Sequence, residues 1–197
     1  MQQQVQPQVR QAGLWSVKEL TRIGIIVAVL CVCSWISIPL VVPITLQTLA
    51  VFLAVGLLGR RDGTIAILVY LLLGAAGLPV FSGMRGGAGM LLGPTGGYLV
   101  GFVATGLVSG SILRRFGMKK SVMAAAFLLG LVVCYAFGTV WFLWGYARIG
   151  ESISLFQALG KCVVPFCIPD AGKILLAVCL VERIKPRMDG SKREDNR

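Results

Sequence analysis

Asp170 and Lys173 stand three positions apart in an otherwise uncharged apolar stretch, Cys162 to Val181, and no other charged residue lies within any of the six long apolar runs of this chain. On an α-helix such a pair shares a face, so a carboxylate acceptor and an ammonium donor can address one cavity. That is the equipment for charge-assisted hydrogen bonding to a small polar solute. Each charge at the centre of a spanning helix costs about 2.5 to 3.5 kcal/mol, roughly 5 to 7 for two, whereas the ten Leu, Ile, Phe and Val residues of the stretch return roughly 3 to 6. The helix is therefore marginal alone and must be held by neighbours, with its charges paired or turned to a ligand. A structural ion pair locking two helices is the plainer alternative. Intramembrane charges nonetheless mark sites by default.

The elements that must position the pair follow from the breaks between apolar runs. Expected spans are Ile23 to Val42, Ile44 to Gly59, Gly63 to Phe81, Pro94 to Leu113, Ser121 to Tyr146 and Cys162 to Val181. The second is short and carries Thr45 and Gln47, which suits a tilted or partly re-entrant helix. Fifteen basic residues fall on the side of the termini and of the Arg60-Arg61 and Arg114 to Lys120 connections, against three (Arg85, Arg148 and Lys161) on the other. By the positive-inside rule both termini are cytoplasmic. The expected fold is an all-α integral membrane protein, a bundle of six transmembrane helices. Residues 1–22 form a cytoplasmic N-terminal segment, 23–181 the substrate-binding domain and 182–197 a charged cytoplasmic tail. With 56% hydrophobic residues and a mean hydropathy of +0.83, 197 residues leave no room for a soluble catalytic domain. The net charge of +11 reflects tails and alternate loops rather than a nucleic-acid surface.

Pro165 and Pro169 precede the charged pair. Proline suits a helix's first turn and disfavours helix before it, so regular helix is expected to start at or near Pro169, with Asp170 among unpaired N–H groups that favour an anion. Ser82 to Gly93 carries five glycines and Arg85, a composition that fits either a mobile connector or a lid over an anionic solute's cavity. Gly93, Gly97, Gly101, Thr105 and Ser109 form a small-residue stripe, better explained by close packing within the chain than by a contact between copies. Six cysteines in apolar runs and the absence of histidine point away from metal or thiol chemistry, and no cofactor is expected. No Gly-x-x-x-x-Gly-Lys-Ser/Thr run is present, so ATP-driven transport would need another subunit.

Val42-Pro43-Ile44-Thr45-Leu46-Gln47-Thr48, Gly77-Leu78-Pro79-Val80-Phe81, Leu92-Gly93-Pro94-Thr95-Gly96-Gly97-Tyr98 and Pro165-Phe166-x-Ile168-Pro169-Asp170-x-x-Lys173 occur in this order. Together they resemble the BioY family, the biotin-specific S components of energy-coupling factor (ECF) transporters. The resemblance implies a six-helix subunit of the bacterial inner (cytoplasmic) membrane, surrounded by lipid. It would capture biotin outside and deliver it with a transmembrane T component and two cytoplasmic ATPases. It carries substrate binding onto Asp170, Lys173 and Tyr98, to which Arg85 and Gln47 are added, and docking of the T component onto Gly24 and Ala28 in the first helix. Pro169 stands where the family usually has Gly, Gly24 where its docking motif has Ala, and no Asn in the glycine-rich loop matches the amide that some relatives use.

Biotin's ureido N–H groups can donate to Asp170, its carbonyl or carboxylate can accept from Lys173, and its ring can pack on Tyr98 or, less favourably, Trp141. A solitary secondary carrier for a small anionic vitamin-like solute is the alternative; inverted repeats would support it, and the Asp-x-x-Lys element is not duplicated within the other apolar runs. An enzyme would need an acid or base partner; with neither histidine nor a second intramembrane carboxylate, none is available.

Overall fold

In a computed structural model, residues 15–40, 42–148, 150–151 and 153–194 are described. The N-terminal segment up to residue 14, including Arg10, and the last three residues of the tail lie outside them. Seven α-helices and one two-stranded ladder make up the described chain: α1 Val17–Trp35, β1 Ser37–Ile38, β2 Ile44–Thr45, α2 Gln47–Ala75, α3 Ala88–Leu92, α4 Gly96–Phe116, α5 Lys120–Arg148, α6 Leu155–Cys162 and α7 Val164–Glu194.

Ser16 opens α1 with a capping box: its hydroxyl accepts from the Glu19 N–H while the Glu19 carboxylate accepts from the Ser16 N–H. The helix stops at Trp35, short of the expected Val42. Instead, Ser37 and Ile38 pair antiparallel with Thr45 and Ile44, so the chain turns back beside α1 before α2 begins. Pro39 and Pro43 lie between the two strands and lack the N–H groups that a continuing helix needs.

The expected second and third spans are two arms joined at Gly59, where φ is +85°. Only a glycine adopts that backbone without strain. The arms return closely on one another, since a Cβ on Gly63 would stand 2.6 Å from the Ala54 carbonyl oxygen. The first arm, Gln47 to Leu58, reaches only about 18 Å at the helical rise, well short of a hydrocarbon core. The second ends at Ala75 rather than Phe81, because Gly77 takes a φ of +102° and Pro79 follows.

α4 lies most extensively on α5, then on α2, and α2 also carries α1 and α7. The small-residue stripe is the α4–α5 contact: a Cβ on Gly97 would strike Trp141, one on Gly101 would touch Cys134, and Thr105 and Ser109 donate to the Gly130 and Ala126 carbonyls at 2.9 and 2.8 Å. Gly106 and Gly110, on another face, admit Thr64 and Arg60 of α2. The core inside these contacts is built on Phe52, Ile67, Tyr70 and Phe127.

Among the described residues three helices, Gly96–Phe116, Lys120–Arg148 and Val164–Met188, are long and apolar enough to cross a membrane. Large apolar side chains also face outward: Leu72, Val140, Leu175 and Ile168 are 67, 68, 66 and 86% exposed. An apolar shell outside a packed core is what hydrocarbon, not water, accommodates. At one end of the bundle the basic segments meet. Arg22 donates to the Met188 carbonyl, the Arg61 guanidinium lies over the Trp15 ring, and Lys120 pairs with Glu182 at 2.9 Å.

Candidate functional site

α7 buries Phe166, Asp170, Lys173, Ile174, Ala177, Val178 and Val181, a stripe at helical spacing. Both charges therefore point inward, Asp170 at 1% exposure and Lys173 at 7%. The helix does not start at Pro169. It begins at Val164, which places Asp170 in the second turn, away from the free N–H groups of the terminus. Pro165 falls in the first turn, where its missing N–H costs nothing, and Pro169 removes only one further bond. In an apolar surrounding a helix carries that single loss more cheaply than an unwound backbone.

Without a helix terminus, the carboxylate is held by side chains from three helices. Lys173 Nζ donates to Asp170 Oδ1 at 2.7 Å, Thr48 Oγ1 of α2 to the same oxygen at 3.0 Å, and the Tyr135 hydroxyl of α5 to Oδ2 at 2.5 Å. Three donors satisfy the buried carboxylate's oxygens without water, and the ammonium beside it supplies the opposite charge. Sequence reading missed Thr48 and Tyr135. Thr48 lies in the first family-like block; for Tyr135, a lone tyrosine in an apolar helix, no local signal existed.

A cavity of about 330 Å3 opens on this cluster, lined also by Gln47, Tyr98, Arg85 and apolar groups such as Phe102 and Phe166. All five residues expected to bind substrate, Asp170, Lys173, Tyr98, Arg85 and Gln47, thus border one space. Its size and its apolar wall with a few convergent polar groups are those of a small-molecule pocket. Gln47 is fixed by two contacts: Thr45 Oγ1 donates to its Oε1 at 2.9 Å, and its Nε2 donates to the Tyr70 hydroxyl at 2.5 Å. Tyr70 in turn donates to the Val80 carbonyl at 3.1 Å. The Tyr98 hydroxyl meets Thr139 Oγ1 at 3.2 Å. Trp141 is not on the cavity wall; its indole N–H donates to the Gly93 carbonyl at 3.0 Å and so anchors the loop.

The glycine-rich segment is built rather than loose. Phe81 and Arg85 exchange backbone hydrogen bonds across a tight turn, with Gly83 at φ +70° and Met84 at φ +54°. The Gly87 N–H reaches the Gly74 carbonyl at 2.7 Å, and α3 follows. The Arg85 side chain is exposed, its Nε 3.4 Å from the Ser82 carbonyl, at the cavity's open side.

Gly24 and Ala28 lie one turn apart on one side of α1, outside its buried stripe, both exposed, and among the described residues a Cβ on Gly24 would meet nothing within 4 Å. Cys134 and Cys162 line the cavity, whereas Cys167 and Cys179 face outward.

The pattern that defines the BioY family matches residues 2–190. The biotin transporter BioY of Thermotoga maritima is 40% identical over 169 residues, 85% of this chain and 96% of that protein. That of Rhodobacter capsulatus is 36% identical over 170 residues, 81% of this chain and 88% of its own. Among solved structures, the S-component for biotin from an ECF-type ABC transporter superposes with a TM-score of 0.77 at 30% identity, covering 86% of this chain and 92% of that one.

Proposed function

This chain belongs to the BioY family, and from that premise we propose that it is the biotin-binding subunit of a biotin uptake transporter, a membrane protein with no catalytic chemistry of its own. It captures biotin from the outside and delivers it with an ATP-driven energy-coupling module. The observation that carries the reading is the cavity onto which Asp170 and Lys173 open, because its polar groups match those of biotin while its walls match the thioether ring. Asp170 accepts a ureido N–H, Lys173 donates to a carbonyl or carboxylate oxygen, Tyr98 packs the ring, Gln47 adds an amide and Arg85 attracts the anion to the mouth.

Six membrane helices, the second a short arm that reaches only part of the way, with both termini in the cytoplasm fit the gathering of the basic segments at one end and the cavity near the other. The T component and two ATPases supply the energy, in the inner membrane of a bacterium. Denaturing the purified protein and assaying the supernatant should release about one biotin per chain, as expected for a pocket that buries most of a small ligand. No released biotin, together with no uptake of biotin on titration, would remove the assignment.

Tyr135→Phe deletes a donor to Asp170 without changing shape. Binding should weaken about fivefold, the equivalent of about 1 kcal/mol for one hydrogen bond. Isothermal titration measures it, and an unchanged affinity would make Tyr135 a structural neighbour only.

The mouth can be tested by labelling. At Gly86 a Cβ would stand 2.2 Å from the Leu78 carbonyl oxygen, whereas at Gly89, on the cavity wall, it would meet nothing within 4 Å. Gly89→Cys in a cysteine-free background should react with an impermeant reagent from outside, more slowly with biotin bound. Labelling from the cytoplasmic side alone would invert the topology.

A further inference from the structure

A second cavity, of about 680 Å3, lies at the basic end of the bundle. Arg60 and Arg61 in the α2 turn, Arg114 in the last turn of α4 and Lys185 on α7 line it, and no Asp or Glu does so among the described residues. Leu58, Ile65 and Leu107 form its apolar side. Arg60 is set in place by Gly110, where a Cβ would stand 2.7 Å from the Arg60 Cα. Thr64, also on the wall, is 7% exposed and its hydroxyl has no hydrogen-bond partner.

Helix ends attract cations by themselves, and Lys185 Nζ donates to the Gly56 carbonyl at 3.0 Å. Two helix C-termini nevertheless supply only about one negative charge between them, too little for four cations. The positive-inside rule needs basic residues on this side but does not need them around one cavity. Arg115 and Lys119 meet that rule on the same connection without lining it.

We propose that this cavity binds the phosphate headgroup of an anionic phospholipid, held by Arg60 and Arg114 with Arg61 and Lys185 adding charge, its glycerol and acyl portion against Leu58, Ile65 and Leu107. Guanidinium groups grip phosphate through two parallel N–H donors, and basic pockets between membrane helices on the cytoplasmic side take such headgroups. A free phosphate ion would satisfy the cations but leave the apolar side unused.

The test is native mass spectrometry of the full chain from micelles holding equal phosphatidylglycerol and phosphatidylcholine. Wild type should retain phosphatidylglycerol at least about tenfold over phosphatidylcholine, a preference that R60Q/R114Q loses and the charge-matched R115Q/K119Q keeps. Should R60Q/R114Q not elute as a folded monodisperse species, Arg114→Gln alone, at an exposed position, carries the same comparison with a weakened preference. Equal loss in both charge pairs would reduce the effect to diffuse surface attraction. Displacement of the lipid by millimolar inorganic phosphate would make it a site for a soluble anion. Unchanged lipid retention with lost co-purification of cytoplasmic subunits would make it a protein-docking face. Each of these three results overturns the proposal.

Discussion

Asp170→Asn and Lys173→Met should each weaken biotin binding about a hundredfold, close to 3 kcal/mol, because each removes a charge-assisted hydrogen bond to the ligand and unbalances the partner left in an apolar surrounding. The carboxylate now accepts from Lys173, Thr48 and Tyr135. An amide in its place turns one acceptor into a donor facing donors. Lys173→Met keeps the stem and deletes the ammonium, leaving the Asp170 charge with two hydroxyl donors. Both variants require a thermal unfolding measurement beside the titration, since 1 and 7% exposure make the pair part of the core as well. Folded variants with wild-type affinity would move the substrate elsewhere.

Gly24→Leu combined with Ala28→Leu should leave biotin binding within about threefold of wild type yet abolish co-purification with the T component and ATP-dependent uptake. The two positions are exposed on the outer face of α1, while its buried residues Ile23, Ile26, Val27, Leu30 and Ser34 face α2 and the core. Two leucines there add bulk where, among the described residues, nothing lies within 4 Å of a Cβ on Gly24. They should prevent a partner helix from approaching closely without entering the cavity. Lost binding with an intact assembly would instead show that the docking surface is another helix.

The pairing of Asp170 with Lys173, the apolar character of the helices and the one-sided distribution of basic residues were legible in the sequence. Each depends on local stereochemistry or composition: i and i+3 share a helix face wherever the helix lies, and a run of apolar residues stays apolar in any packing. The family-like blocks likewise assigned Tyr98 and the charged pair to one site, to which Gln47 and Arg85 were added, before any contact between them was known. Tertiary structure alone decided the rest. Tyr135 and Thr48 reach Asp170 across 35 and 122 positions, because the rotations of α5 and α2 about their axes turn those side chains toward α7. The boundaries moved for a related reason. Pro169 was expected to open a helix, but α7 runs through it from Val164, since in an apolar surrounding a backbone keeps its remaining helical hydrogen bonds where no water can replace them. Conversely, α1 ends at Trp35 within an unbroken apolar run, because the β1–β2 ladder gives the departing backbone other partners. Periodicity belongs to the chain, whereas the choice of which donor meets which acceptor belongs to how the helices lie on one another.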